Sequence, residues 1–444
     1  MKMQRIVQLL GAFSAFVLLM TGTAQALPSY ARQTGQNCVA CHVSFPELTP
    51  YGRMFKLNGY TFGEAKMLPF AAMAVASDTH VANTQGNSLA YPKSGDLAFE
   101  GASLFFAGKF TDHIGVFSQW TYNNLNPVTQ PDGSTKFGGQ TTVDNNDWRI
   151  ADRITRADLD LIFGLSLNNN PTVQDVWNST PAFAYPFQSS RLAGVWGIGT
   201  PGTLIEGGLA QQVAGFSAYT LYDKQWYAEL GAYRAADGAF RLLSHGIDLT
   251  QGNRLKGSGN PYFRFAYNRD WDQQSIEAGL FGLNAHVLVD PANTSSSTNR
   301  FNDIGFDAQY QWLGDPHIWT AQIYYVHEKT DWDASQVGSA VANSQSTLNS
   351  LRIKGSYWYN HRYGVTLSYF NQRGSTDFVA NPQTGTPDTD GYIAELNYMP
   401  MQNWRLGLQY TDYSKYAGAS SNYDGNGRNA HDNNTLYLYT WIAF

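Results

Sequence analysis

The chain is poor in cysteine, in charge and in long apolar runs, and each scarcity excludes something. Only two of its 444 residues are cysteine, Cys38 and Cys41, and both lie in one short stretch. That is too few for a disulfide-stapled secreted scaffold. Charged residues make up 14%, against about 25% in an ordinary soluble domain. The balance is acidic, with a formal net charge of −6. Such a chain is a poor candidate for binding nucleic acid, because phosphate binding needs clustered Lys and Arg. Past the N-terminus no apolar run approaches ~18 residues, so no membrane helix is expected. There is no G-x-S-x-G, no H-E-x-x-H and no Gly-rich phosphate loop, which removes the common hydrolytic and nucleotide chemistries. His80, His113, His245, His286, His317, His327, His361 and His431 stand singly among apparent strands and turns. Such positions read as interfacial or hydrogen-bonded residues.

What is present begins with a leader. Lys2 and Arg5 precede the apolar stretch IVQLLGAFSAFVLLM, which ends near Ala24-Gln25-Ala26. A basic start, a short apolar core and an A-x-A end form a secretory signal peptide. Residues 1–26 are assigned to it, with a retained anchor as the alternative. Removing Lys2 and Arg5 takes the formal charge to −8. The remainder is rich in aromatics (14%, with 27 Tyr and 25 Phe) and holds 42 Gly. An exported, aromatic-rich chain without a membrane helix is either a secreted β-protein or an outer-membrane barrel.

The two cysteines read Cys38-Val39-Ala40-Cys41-His42, a C-x-x-C-H pattern that attaches a c-type haem. Two thiols reach the two vinyl groups of one porphyrin, and the adjacent imidazole lies under the iron as proximal ligand. A thioredoxin-like C-x-x-C would need a βαβ setting, and none is visible. One covalently held haem c is therefore expected on Cys38 and Cys41, with His42 as proximal iron ligand. For the distal position Met54 is the first choice, being nearest, with Met67, Met73, Lys56 and His80 also close in sequence. Residues 27–66 form this haem segment, too short for a core of its own without a staple.

From Met67 to Phe444 the chain alternates. In NWRLGLQYTDY (403–413), Trp404, Leu406, Leu408 and Tyr410 share one face, and Arg405, Gly407, Gln409 and Thr411 the other. Apolar-out, polar-in segments of ~10 residues mark transmembrane β-strands. Short turns near 111–113, 222–225, 270–273, 314–316, 360–362 and 400–403 interleave with long polar linkers such as 131–148, 293–302 and 417–432. That rhythm predicts an all-β fold: an antiparallel transmembrane barrel of about 16 strands with both termini in the periplasm. The strands fall near 70–83, 97–110, 114–124, 153–167, 190–199, 206–221, 226–236, 260–269, 274–289, 303–313, 318–330, 346–359, 363–374, 390–399, 403–416 and 434–444. Counted this way, the long segment 168–187 sits on the periplasmic side, where it is expected to fold inward and clamp the haem segment. An ordinary rigid loop or a porin-like constriction is the alternative.

A lone haem below the membrane cannot bridge an apolar band ~25 Å tall, whereas one inside a pore can. A conduit between the exterior and the periplasm follows. The stretch PSYARQTGQNCVACHVSFPELTPYGRMFKLNGY (28–60) then resembles the leader of the fused monohaem cytochrome–porins of Gram-negative bacteria, which include outer-membrane iron oxidases. LNNNPTVQDVWNSTPAF (167–183) is similar to a second stretch of that family. The resemblance implies oxidation of extracellular Fe(II), an iron(II):cytochrome c type of oxidoreduction. Electrons would pass to a periplasmic c-type cytochrome or another periplasmic acceptor, from a barrel held by outer-membrane lipid. Asp132, Asp144, Asp147, Asp388, Asp390 and Asp424 are candidates for steering cations inward. Two other functions compete. One is a porin for small solutes with a haem sensor or plug, its selectivity set by Arg352, Lys354, Arg405, Glu229 and Glu395. The other is electron transfer from a donor other than iron.

Overall fold

The computed structural model describes residues 28–65, 69–84, 93–130, 132, 135–246 and 252–444. The leader and Met67 lie outside the described residues. Sixteen strands close into one antiparallel barrel. In chain order they are β1 (Phe70–Val81), β2 (Leu97–Lys109), β3 (Ile114–Thr129), β4 (Thr135–Arg156), β5 (Leu159–Asn168), β6 (Val213–Tyr222), β7 (Trp226–Ala235) and β8 (Asn260–Trp271). They continue as β9 (Gln274–Leu288), β10 (Thr298–Leu313), β11 (His317–Asp331), β12 (Gln345–Tyr359), β13 (Tyr363–Gly374), β14 (Thr389–Met401), β15 (Trp404–Lys415) and β16 (Thr435–Ala443).

Closure is made by β16 against β1, from Thr435 opposite Val81 to Ala443 opposite Met73. The terminal Phe444 and Ala72 exchange both backbone hydrogen bonds, at 2.8 and 2.7 Å. The closed barrel therefore has no open edge strand. Because side chains alternate across a strand, Phe265 is exposed while its neighbours Arg264 and Ala266 are buried. Leu165, Leu230, Leu280, Ile304, Leu367 and Leu396 are likewise exposed large apolar residues. Water penalises such a belt and lipid does not. The barrel therefore spans a membrane, and its architecture is that of the outer membrane. No described helix is long and apolar enough to cross.

All connections at one end are short. Asp223 and Lys224 (φ 50° and 57°) and Asn360 and His361 (φ 54° and 51°) make their turns in the left-handed region, as tight hairpins require. Both ends of the barrel chain lie there, which is the periplasmic end of such barrels.

The strand count agrees with the sequence reading, but two differences offset each other within it. β4 falls largely in what reads as the polar linker 131–148, and residues 153–167 are two strands with a turn at 157–158. Conversely, 190–199 is no strand; it holds the helical turn Arg191–Val195. The segment 206–221 becomes a kinked turn, Leu204–Gly208, followed by β6. The loop between β5 and β6 consequently starts from the long-connection end, not from the periplasmic end.

Candidate functional site

The lumen is filled from both ends. From the short-turn end comes residues 28–65. Helix α1 (Pro28–Thr34) and helix α3 (Pro50–Leu57) flank the single turn α2 (Cys38–Cys41), with a small ribbon pairing His42–Ser44 to Glu47–Leu48. Thr49 caps α3, accepting from Gly52 N at 3.2 Å, while its own N–H donates to Cys41 O at 3.0 Å. A Cβ on Gly52 would lie 2.3 Å from Cys41 O, so α3 can approach the cysteine turn this closely only with glycine there.

The stretch GRMFKLNGY then reads as a set of anchors. Arg53 donates to Ser275 at 2.7 Å and Asp270 at 3.2 Å. Tyr219 donates to Leu57 O at 2.8 Å, and Tyr60 to Asp147 at 2.6 Å. Asp147 is in turn paired with the buried Arg149. From the ribbon, Glu47 accepts from Thr320 and Ser44, both at 2.9 Å, and pairs with Lys354. Arg405 donates to Phe45 O at 3.1 Å and Gln311 to Leu48 O at 3.1 Å.

From the opposite end the loop 169–212 turns inward and meets this plug. Lys56 Nζ donates to Val173 O, Asp175 O and Asn178 Oδ1 at 2.7, 2.6 and 3.0 Å. Asn178 donates back to Pro46 O at 2.8 Å, and Arg149 donates to Gln174 O. Asp175 holds the loop's shape, accepting from the backbone N–H groups of Trp177, Ser179 and Thr180. It also pairs with Arg264 of β8 at 3.2 Å, and Arg264 pairs with Glu277 and Asp307. Burial would raise the Asp175 carboxyl, but Arg264 and Lys56 hold it below the usual carboxylate range. Lys56 is pushed down to about 7, first by burial and then by Arg149, against the pull of Asp147 and Asp175. The loop thus clamps the plug, as expected, although from the other end of the barrel.

Between plug, loop and the wall from β1 to β4 lies a cavity of about 630 Å³ whose lining includes Cys38, Cys41 and His42. Its apolar walls include Phe45, Phe105, Phe117, Phe183, Phe187 and Trp441. The two thiols are not joined in a disulfide. Burial, and then the charge of Cys38, pushes the Cys41 thiol up to about 11. His42 falls to about 4 because burial outweighs a hydrogen bond to the Glu47 backbone, so the imidazole is neutral at neutral pH. Its Nδ1 is buried without a hydrogen-bond partner. Two thiols on one helical turn, a neutral imidazole with an unpartnered nitrogen and a large apolar cavity fit a covalently attached haem.

The structure does not bring Met54 to that cavity. Met54 packs against the cluster of Leu57, Ala151, Ile162 and Trp177 and lines a separate cavity of about 320 Å³. His80 is exposed and paired with Asp78. Met73, on β1, does line the cavity of the motif. Among the expected steering acids, Asp144, Asp147 and Asp390 are strand residues. Asp147 and Asp390 are tied to Arg149 and Arg373, and Asp144 accepts from Thr121. Among the described residues no group of three or more His, Cys, Asp or Glu is arranged to hold a metal ion.

Sequence reasoning missed Glu47, Arg149, Arg264 and Asp307. The signal was there: the strand charges Arg149, Arg264 and Asp307 alternate with the exposed apolar residues Ile150, Phe265 and Phe306 beside them.

No family model matches the chain, and no curated protein matches it. Similar solved structures are barrels: the channel DcaP of Acinetobacter baumannii (13% identity, 84% of this chain, 96% of that one, TM-score 0.44), OmpF of Salmonella typhi in complex with daunomycin (10%, 84%, 97%, 0.44), and a loop-deletion mutant of OmpT of Vibrio cholerae (10%, 84%, 98%, 0.43). These are distant likenesses of fold and add nothing to what the strands themselves define. The chain is a closed sixteen-stranded antiparallel barrel of outer-membrane architecture.

Proposed function

We propose that this barrel is an electron conduit rather than an open pore, carrying one haem c inside its lumen. The observation that carries the reading is the position of Cys38, Cys41 and His42: they face a large apolar cavity inside a lumen filled by plug and loop. In this reading the two cysteines hold the group covalently and His42 ligates it. Phe45, Phe105, Phe117 and Trp441 keep water from it. The haem, when bound, supplies reversible one-electron chemistry. Lys56, Arg53 and Glu47 fix the plug, and so the motif, at a set depth within the apolar band. Fe(II) as external donor and a periplasmic c-type cytochrome as acceptor rest on the resemblance of residues 28–60 and 167–183 to cytochrome–porins.

The test is to purify the mature protein in detergent, oxidise it, add Fe(II) without oxygen near neutral pH and follow the haem α band. Prompt, stoichiometric reduction supports the iron conduit. Reduction by dithionite alone keeps the conduit and moves the donor elsewhere.

A porin for small solutes, with residues 28–65 as plug, is the second reading. It is favoured by the fold and by a cavity of about 380 Å³ beside the inward loop, lined by Glu206, Arg352 and Gln409 among others. Steady single-channel conductance by the intact protein, with no haem α band, would establish it over the conduit.

A further inference from the structure

We infer that Met73 is the sixth ligand of the iron, an inference that rests on the conduit reading above. The argument is one of which side chains around the cavity are available. Lys56 lines it, but its ammonium is committed to three oxygens. Tyr30 and Tyr60 line it, with their hydroxyls donated to Val116 O at 2.7 Å and Asp147 at 2.6 Å. Glu100 accepts from Ser77 at 2.6 Å and from Arg191 N at 3.1 Å, and Asp144 accepts from Thr121 at 2.6 Å and from Asn145 N at 2.8 Å. Met54 opens onto another cavity.

Met73 remains. It is an inward position of β1, between the buried Ala71 and Val75. An aromatic bridge relates it to the proximal side: the His42 ring meets Phe45 with centroids 5.2 Å apart, and Phe45 meets Trp441 at 5.7 Å. Trp441 Nε1 then donates to Met73 Sδ at 3.2 Å. A thioether packed only as filler takes whatever rotamer space allows; this one is aimed by an indole N–H on the closing strand. The sulfur retains a lone pair for a metal while the hydrogen bond fixes its direction. One thioether and one imidazole as ligands would raise the potential relative to two imidazoles.

The test is spectroscopic, on the full-length protein in detergent. A haemochrome assay first establishes whether haem is attached through two thioethers; if it is not, the conduit reading fails and this inference with it. With haem attached, the ferric protein is expected to show the weak far-red charge-transfer band of a thioether–iron bond. Met73→Leu, which preserves the packing, should abolish that band with the α band retained. Met73→His should restore a six-coordinate spectrum without the far-red band and with a lower midpoint potential. Attached haem with no thioether band in the unaltered protein, or a band that survives in Met73→Leu, would overturn the assignment. The first of these needs no variant to fold.

Discussion

If the ion pair between Lys354 and Glu47 seats the plug, removing one partner should loosen the plug far more than removing both. The side chains are 3% and 1% exposed, so neither charge is compensated by water. In Lys354→Met the Glu47 carboxylate keeps only the hydroxyls of Thr320 and Ser44. A buried charge left without its partner costs about 3–5 kcal/mol. Placed on the equilibrium between seated and displaced plug, that is a shift on the order of 10²- to 10⁴-fold. In Glu47→Gln the stranded cation is Lys354, which retains the Phe187 ring at 5.0 Å, so its cost is smaller. The double variant should cost at least about 1 kcal/mol less than the sum of the two, because contacting residues are not additive. Single-channel recording of each purified protein in a planar bilayer reads the displaced state as open events. An open fraction in Lys354→Met within tenfold of the unaltered protein would refute the reasoning. So would additivity in the double variant.

Three further outcomes follow from the same contacts. Gly52→Ala places a methyl against the Cys41 carbonyl at 2.3 Å, backbone that cannot swing aside. It should cost about 1–3 kcal/mol, read as a lower midpoint of plug release in urea with barrel unfolding unchanged. Asn178→Ala removes the bonds to Pro46 O and from Lys56 and leaves the half-buried Pro46 carbonyl without that donor, at a cost of about 1 kcal/mol; hydrogen exchange of the loop at 169–188 should quicken. Lys56 has its folded pKa near 7, below its ordinary 10.5, so between those values the unfolded chain holds the extra proton. Its contribution to stability therefore rises with pH, by up to about 1.4 kcal/mol per unit, and levels off outside that window. Urea midpoints measured at pH 6, 8 and 10 should show this rise, and Lys56→Met should flatten it.

What was legible in the sequence follows what a single environment imposes. β15, with lipid on one side and lumen on the other, alternates cleanly and was found with nearly correct bounds. β4 was missed because only its stretch from Asp147 to Ile154 alternates between buried and exposed; nearer the long loops most of its residues are at least partly exposed. There no sidedness is selected, and Gly138, Gly139 and Gln140 read as linker. The segment 190–199 was mistaken for a strand for the opposite reason. Leu192 and Ala193 are buried inside the lumen, and an apolar interior selects apolar residues whatever the backbone does. One strand lost and one invented left the count intact but reversed the side on which the clamp begins. The cysteine turn and its histidine stood out by their spacing alone, and all three line one cavity of the lumen. Which other side chains share that cavity, Met73 and not Met54, depends on which wall the plug faces, and that is a property of docking, invisible to distance along the chain.

The lumen charges say most about what kind of barrel this is. In an open pore, inward-facing charges meet water and steer solutes. Here Lys354 and Arg405 reach Glu47 and Phe45 O of the plug, and Arg352 reaches Tyr185 O of the inward loop. Arg264 balances the loop's Asp175 against two carboxylates of the wall. Residues 28–65 are too few to bury a core by themselves. The barrel supplies that core, through ion pairs and hydrogen bonds from its inner face and through apolar contacts such as Leu57 with Ala151 and Ile162, and Val43 with Ile318 and Trp358. These pairings tie the plug and the inward loop to the wall, and Cys38, Cys41 and His42 lie within the tied segment. An open solute pore would leave those same charges to water, and that difference in pairing, more than the number of strands, separates the two readings of this fold.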